Sequence, residues 1–257
     1  MPTLRQTVFS KFIILVLLLK SIPVFATTEE RMRMNKVVVG VIGNLPSADP
    51  LLGRSFLDFL VIQSRCQTLV RMNDKGTLVG DLAKSWTISK DGKSYKFTLD
   101  KTAKFHDGSS VNVEDVIFSL SRHLWKNSPT LIGTYLTDKV VGSNNLDHGK
   151  IPAGIKKIGG NDIEIELTHP YIPFLQILSM PGFSIIKKGE EASLIGSGPL
   201  KATKVTDQNI LSFHSYEAYS GIKSLTNELE LRYLKNDDEA LEGLKNEEFD
   251  VVLEVIS

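Results

Sequence analysis

His106-Asp107, with Glu114 and Asp115 a short way downstream, is the fragment of this sequence best suited to general-base chemistry. An imidazole beside a carboxylate can accept a proton from a nucleophile that is brought to it. No Gly-x-Ser-x-Gly elbow supplies one. The plainer reading has Asp107-Gly108 forming a turn, the two acids facing the positive end of a helix, and His106 flanking the turn. The five histidines (106, 123, 148, 169 and 214) are scattered, and neither Cys-x-x-Cys nor His-Glu-x-x-His occurs. No metal and no other cofactor is therefore expected. Gly196-Ser197-Gly198-Pro199 has proline where a phosphate-cradling helix would begin, and there is no Walker loop. Asp237-Asp238-Glu239 reads as a helix start before it reads as a calcium loop. Tyr216, Tyr219 and Tyr233 can stack on a ligand, but aromatics in a mixed domain more often belong to the core. The single cysteine, Cys66, stands between Leu60 and Leu69 and reads as a small buried hydrophobe rather than a reactive thiol.

The elements that would position these residues alternate between strand and helix. Val37 to Ile42 is an apolar, β-branched run ending at Gly43-Asn44, which suits a buried strand. Pro46 and Asp49-Pro50 make a turn-rich loop. Phe56 to Leu69 carries apolar residues closer to helical than to strand spacing. Trp86 and Ile88, the turn Asp91-Gly92, and Tyr95, Phe97 and Leu99 predict a hairpin. Asn112 caps a helix whose stripe is Val113, Val116, Ile117, Leu120 and Leu124. Residues 126–160 read as loops with one short element. Ile163, Ile165 and Leu167 predict a strand, and Pro173-Phe174-Leu175 a short helix or bend. Leu229, Leu231 and Tyr233 predict a further strand, Asn236 with Glu239 a capped helix, and Phe249 to Ile256 a last strand.

The 257 residues include 30 basic and 30 acidic side chains and are 42% hydrophobic, a balance that argues against disorder and against a nucleic-acid binder. Residues 1–26 hold Arg5, Lys11 and Lys20 and no acid, leaving 27 basic against 30 acidic groups beyond them. Phe12 to Leu19 is an uninterrupted apolar run of eight, whereas a membrane span needs about 20 such residues. With Val24-Phe25-Ala26 behind it, the segment reads as a signal peptide cleaved after Ala26. One cysteine allows no internal disulfide, and Cys66 lies too far from the cut to carry a lipid. The expectation is an exported, periplasmic, soluble protein.

In order and spacing these segments resemble the extracellular solute-binding proteins of the dipeptide, oligopeptide and nickel class, the partners of ABC importers. The resemblance rests on Asp49-Pro50, on Leu69-Val70 with Gly76 and Leu82-Ala83-Lys84-Ser85-Trp86, and on Asp91-Gly92-Lys93-Ser94-Tyr95-Lys96-Phe97-Thr98-Leu99. It continues through Lys104-Phe105-His106-Asp107-Gly108, Val113-Glu114-Asp115-Val116-Ile117-Phe118-Ser119, Gly196-Ser197-Gly198-Pro199, and Leu244 with Phe249-Asp250-Val251. Three departures bear on ligand identity: Gln67-Thr68-Leu69 where Glu-Gly-Leu is common, Asp100 where arginine is usual, and Leu200 in place of an aromatic.

The resemblance implies an α/β (mixed α+β) fold, a periplasmic-binding-protein type 2-like lobe with an inserted small α+β domain. In that layout 1–26 is the signal peptide, 27–70 plus 177–257 build part of the first lobe, and 71–176 form the small domain. The second ligand-gripping lobe is expected to be missing, which makes this a shortened form of the family. The implied function is non-enzymatic capture of a peptide or other small solute for a membrane ABC permease. The loop Gly53-Arg54-Ser55-Phe56 is the candidate ligand-binding wall; its residue types match no family motif. An alternative is a truncated paralogue acting as an interaction module, self-associating through an exposed sheet edge. An envelope hydrolase using His106 stands third.

Overall fold

A computed structural model describes residues 36–43, 47–203, 210–246 and 248–254. The expected signal peptide, Pro46 and the final residues of the predicted last strand lie outside them. In chain order the elements begin with β1 (Lys36–Ile42), α1 (Phe56–Arg65), β2 (Val70–Met72), β3 (Leu78–Gly80), β4 (Ala83–Ile88) and β5 (Ser94–Leu99). Next come α2 (Val113–Leu124), β6 (Ile155–Gly159), β7 (Asp162–Glu166) and α3 (Phe174–Leu178). The series closes with β8 (Leu200–Ala202), β9 (Ile210–Ser215), β10 (Glu228–Leu234), α4 (Asp237–Lys245) and β11 (Val251–Glu254).

The near-continuous apolar run of β1 suits a sheet covered on both faces. Val37, Val39 and Val41 join a core with Leu57 and Val61 of α1, whereas Val38 and Ile42 join a core with Ala240 of α4. The two helices therefore cover opposite faces of a five-stranded sheet ordered β11-β1-β10-β9-β8. Both neighbours of β1 run parallel to it. The chain accordingly leaves β10, passes through α4 and returns as β11 on the far side of β1. Gly40 lies under this crossover. A Cβ there would meet Leu234 Cδ1 at 2.9 Å and Val252 Cγ2 at 3.1 Å, so a larger residue would push the helix-side core away.

A second, antiparallel sheet has the order β4-β5-β7-β6. Tyr95, Phe97 and Leu99 of β5 and Ile163 and Ile165 of β7 turn inward to meet the α2 stripe. Each fully buried phenylalanine of this kind contributes roughly 1.5–3 kcal/mol. Asn112 and Asp115 exchange hydrogen bonds in a reciprocal cap at the start of α2. The same core takes in Leu69, Val70, Ile177, Leu178, Phe183 and Ile185. This core therefore extends to chain segments on both sides of the four-stranded sheet in sequence.

Two expectations are corrected. The helix predicted over 56–69 ends at Arg65, and Cys66 is already extended at φ −122°. The cause is Asp81, whose carboxylate accepts from Gln67 Nε2 at 2.7 Å and from the Thr68 N–H at 2.9 Å. Those donors hold the chain straight, and Leu69 enters the core from an extended segment. Residues 126–160 contain both a 3-10 turn at Gly133–Tyr135 and strand β6. In β6 only Ile155 is buried, which leaves no alternation to read.

Candidate functional site

Loop 47–55 follows β1 and is held by two carboxylates. Asp49 accepts from the Leu51 N–H at 3.0 Å, capping the 3-10 turn Pro50–Leu52, and from Arg122 Nη1 of α2 at 2.9 Å. Its other oxygen takes Arg122 Nη2, making the pair bidentate. Asp58 accepts the backbone N–H groups of Ser47 (2.6 Å), Arg54 (2.8 Å) and Ser55 (2.8 Å), and the Ser55 hydroxyl at 2.9 Å. Burial alone would raise this carboxyl, but the donors outweigh it and hold its pKa below the ordinary value.

The four residues of the expected wall have different tasks on this fixed loop. Gly53 is buried, and a Cβ there would lie 2.9 Å from Phe59 Cε1. Ser55 caps α1. Arg54 is exposed and donates through Nη2 to the Pro129 carbonyl at 2.5 Å. Phe56 opens α1 with 74% of its surface exposed, and Leu52 beside it is 42% exposed. The surface offered is thus an aromatic ring, an aliphatic side chain and one tethered guanidinium. Leu52 carried no signal in the sequence, because an exposed leucine is unremarkable until its neighbours are known.

His106 is assembled into a latch. The Gly196 N–H donates to Nδ1 at 3.2 Å, so the ring proton sits on Nε2, which faces the Gly198 carbonyl at 3.0 Å. The His106 N–H bonds the Gly196 carbonyl at 2.7 Å, and Tyr216 packs edge-on to the ring while donating to the Phe105 carbonyl. Burial, opposed by the Gly198 bond and assisted by the charges of Arg65 and Lys201, lowers the imidazole pKa to about 4. The neighbouring acids are occupied. Asp107 pairs with Lys187 at 2.5 Å, Glu114 pairs with Lys157 at 2.7 Å, and Asp115 accepts from the Asn112 and Lys188 N–H groups. Both ring nitrogens of His106 serve the 196–198 turn, so neither is free to take a proton from a nucleophile. Cys66 is buried at the end of α1, where desolvation raises its thiol pKa. Among the described residues no group of His, Cys, Asp and Glu is placed to hold a metal.

Residues 77–257 match the model of the bacterial extracellular solute-binding proteins, family 5 Middle. The chain belongs to this family. The dipeptide-binding protein of Escherichia coli K12 is 27% identical over 190 residues, covering 62% of this chain and 34% of that protein. The nickel-binding periplasmic protein of the same strain is 30% identical over 122 residues, covering 45% and 20%. The structure of Listeria monocytogenes OppA bound to peptide superimposes with a TM-score of 0.73 at 19% identity, covering 84% of this chain and 46% of that one. The family 5 chain therefore has a periplasmic-binding-protein type 2 fold and spans about one third of the dipeptide-binding relative. Among its described residues no helix is long and apolar enough to cross a membrane.

Proposed function

We propose that this chain is the substrate-binding component of a peptide-type ABC importer, capturing a peptide or similar small solute in the cell envelope for a membrane permease. The observation that carries the reading is the family match over 77–257. Capture without chemistry is supported by the occupied ring nitrogens of His106. Gly53, Arg54, Ser55 and Phe56 form one wall of the cleft, with 27–70 plus 177–257 as the lobe that carries it and 71–176 as the small domain. The five-stranded sheet draws its strands from the first two segments and the four-stranded sheet from the third, which supports that division. Residues 1–26 act as the export signal; mass spectrometry of secreted protein is expected to find Thr27 at the N-terminus, and retention of Met1 would refute cleavage.

Burying most of a ligand takes two walls, and residues 53–56 supply one. Calorimetry of chain 27–257 against di- to pentapeptides is therefore expected to give weak or no binding, and submicromolar affinity would overturn the one-wall reading. A second reading, self-association, is favoured by β11, which pairs with β1 on one side and with no described strand on the other. Light scattering on the same sample decides it: a monomer at micromolar concentration removes this reading.

A further inference from the structure

A cavity of about 340 Å³ lies between His106-Asp107, Leu194-Ile195 and the end of β8 at Lys201, Ala202 and Thr203. It shares no residue with the wall at 53–56. Its apolar lining comes from Leu194, Ile195 and Ala202. Most of its polar groups already have partners. Thr203 Oγ1 donates to the Ser212 carbonyl at 3.0 Å, Asp107 is paired with Lys187, and both nitrogens of His106 hold the 196–198 turn.

Lys201 is the exception. Its ammonium donates one N–H to the His106 carbonyl at 2.8 Å, leaving two of its three N–H groups. No described carboxylate lies within ion-pair distance of it. Behind the Ile195 wall stands a second cation without a described counter-ion. Arg65 is fully buried, its Nη1 reaches the Ile195 carbonyl at 3.3 Å, and its Nε and Nη2 have no partner. Among the described residues neither cation near Ile195 has a counter-ion: Lys201 is exposed to solvent, whereas Arg65 is desolvated, where an opposite charge acts most strongly.

We infer that this cavity is a ligand site for a small carboxylate with a short aliphatic tail, Lys201 pairing the carboxylate and Leu194, Ile195 and Ala202 receiving the tail. A phosphate fits the lining less well, because apolar walls would strip its hydration without replacing it. The carboxylate can belong to a free short-chain acid or to the C-terminus of a peptide.

The test is calorimetry on the full chain with hexanoate, hexanol, and a tripeptide with a free or an amidated C-terminus. Hexanoate is expected to bind at least about tenfold more tightly than hexanol. Lys201→Met abolishes that preference, and Arg65→Met weakens it by a smaller factor. A free-ended tripeptide matching hexanoate while its amide fails identifies a peptide terminus as the source; hexanoate alone identifies a free acid. Equal binding of hexanoate and hexanol, absence of hexanoate binding, or full retention in Lys201→Met overturns the inference. Ala202→Phe, which fills the cavity and keeps the lysine, covers the case of a misfolded Lys201→Met: undiminished hexanoate binding there also overturns it.

Discussion

Arg122, on α2, lays its guanidinium across both oxygens of Asp49, whereas Arg65, in the last turn of α1, reaches only the Ile195 carbonyl. Both are buried, Arg122 at 8% exposure and Arg65 at 0%. The first ties the loop after β1 to the helix of the four-stranded unit, and its counter-charge is as buried as itself. The second introduces a charge into the interior and leaves two of its nitrogens unpartnered. The same side chain is therefore a fastening in one place and a burden in the other, and what decides is whether a carboxylate came with it.

That contrast breaks if the two arginines respond alike to removal. Arg122→Met strands Asp49 in the interior and is expected to destabilise the fold by about 3–5 kcal/mol, read from urea unfolding; a loss under about 1 kcal/mol would mean Asp49 finds water instead. The latch between them supplies the next effect. His106 titrates at about 4 in the folded chain against 6.5 unfolded, so the unfolded state binds more protons between those values. Stability is thus complete above pH 6.5, falls as pH drops towards 4, and then levels, by about 3 kcal/mol for this group. His123, lowered to about 3 by burial and by Arg122, titrates in the same direction. Accordingly, His106→Gln is expected to reduce the acid-side slope without flattening it, and an unchanged slope would remove the latch from the account. The smallest effect has the opposite sign. Arg65→Met keeps the volume and deletes the unpaired charge, with an expected gain of about 2 kcal/mol. A loss there would show that the guanidinium has acquired a partner, and the contrast with Arg122 would dissolve.

Much of this architecture was legible because its patterns are local. The apolar, β-branched run of β1, the capped stripe of α2, and the Asp91-Gly92 turn with its positive-φ glycine all stand in the structure as the residues imply. Asn236 caps α4 as expected, although Glu239 reaches back to the Lys235 N–H rather than to Asn236 itself. What escaped reading depends on distant partners. The early end of α1 is set by Asp81, and β6 is a strand only because β7 lies beside it. His106 could be recognised as flanking a turn, but not as clamping Gly196 and Gly198 some 90 positions later. The place of 53–56 after Asp-Pro makes that loop the candidate wall. That Ser55 and Gly53 hold the loop while Phe56 and Leu52 face outward emerges only from packing.

The crossover of α4 above β1 has a bearing on the order of events during synthesis. Lys36 in β1 meets Glu230 in β10, 194 residues further along, and its other neighbour, β11, emerges later still. The second sheet closes within residues 83–166, so it can condense while β1 still waits without partners. Distant pairing of this kind slows folding, since chain-closure entropy must be met before the contacts form. Among the described strands, β1 therefore has nothing to pair with until β10 has been made, and its other edge stays open until β11 follows.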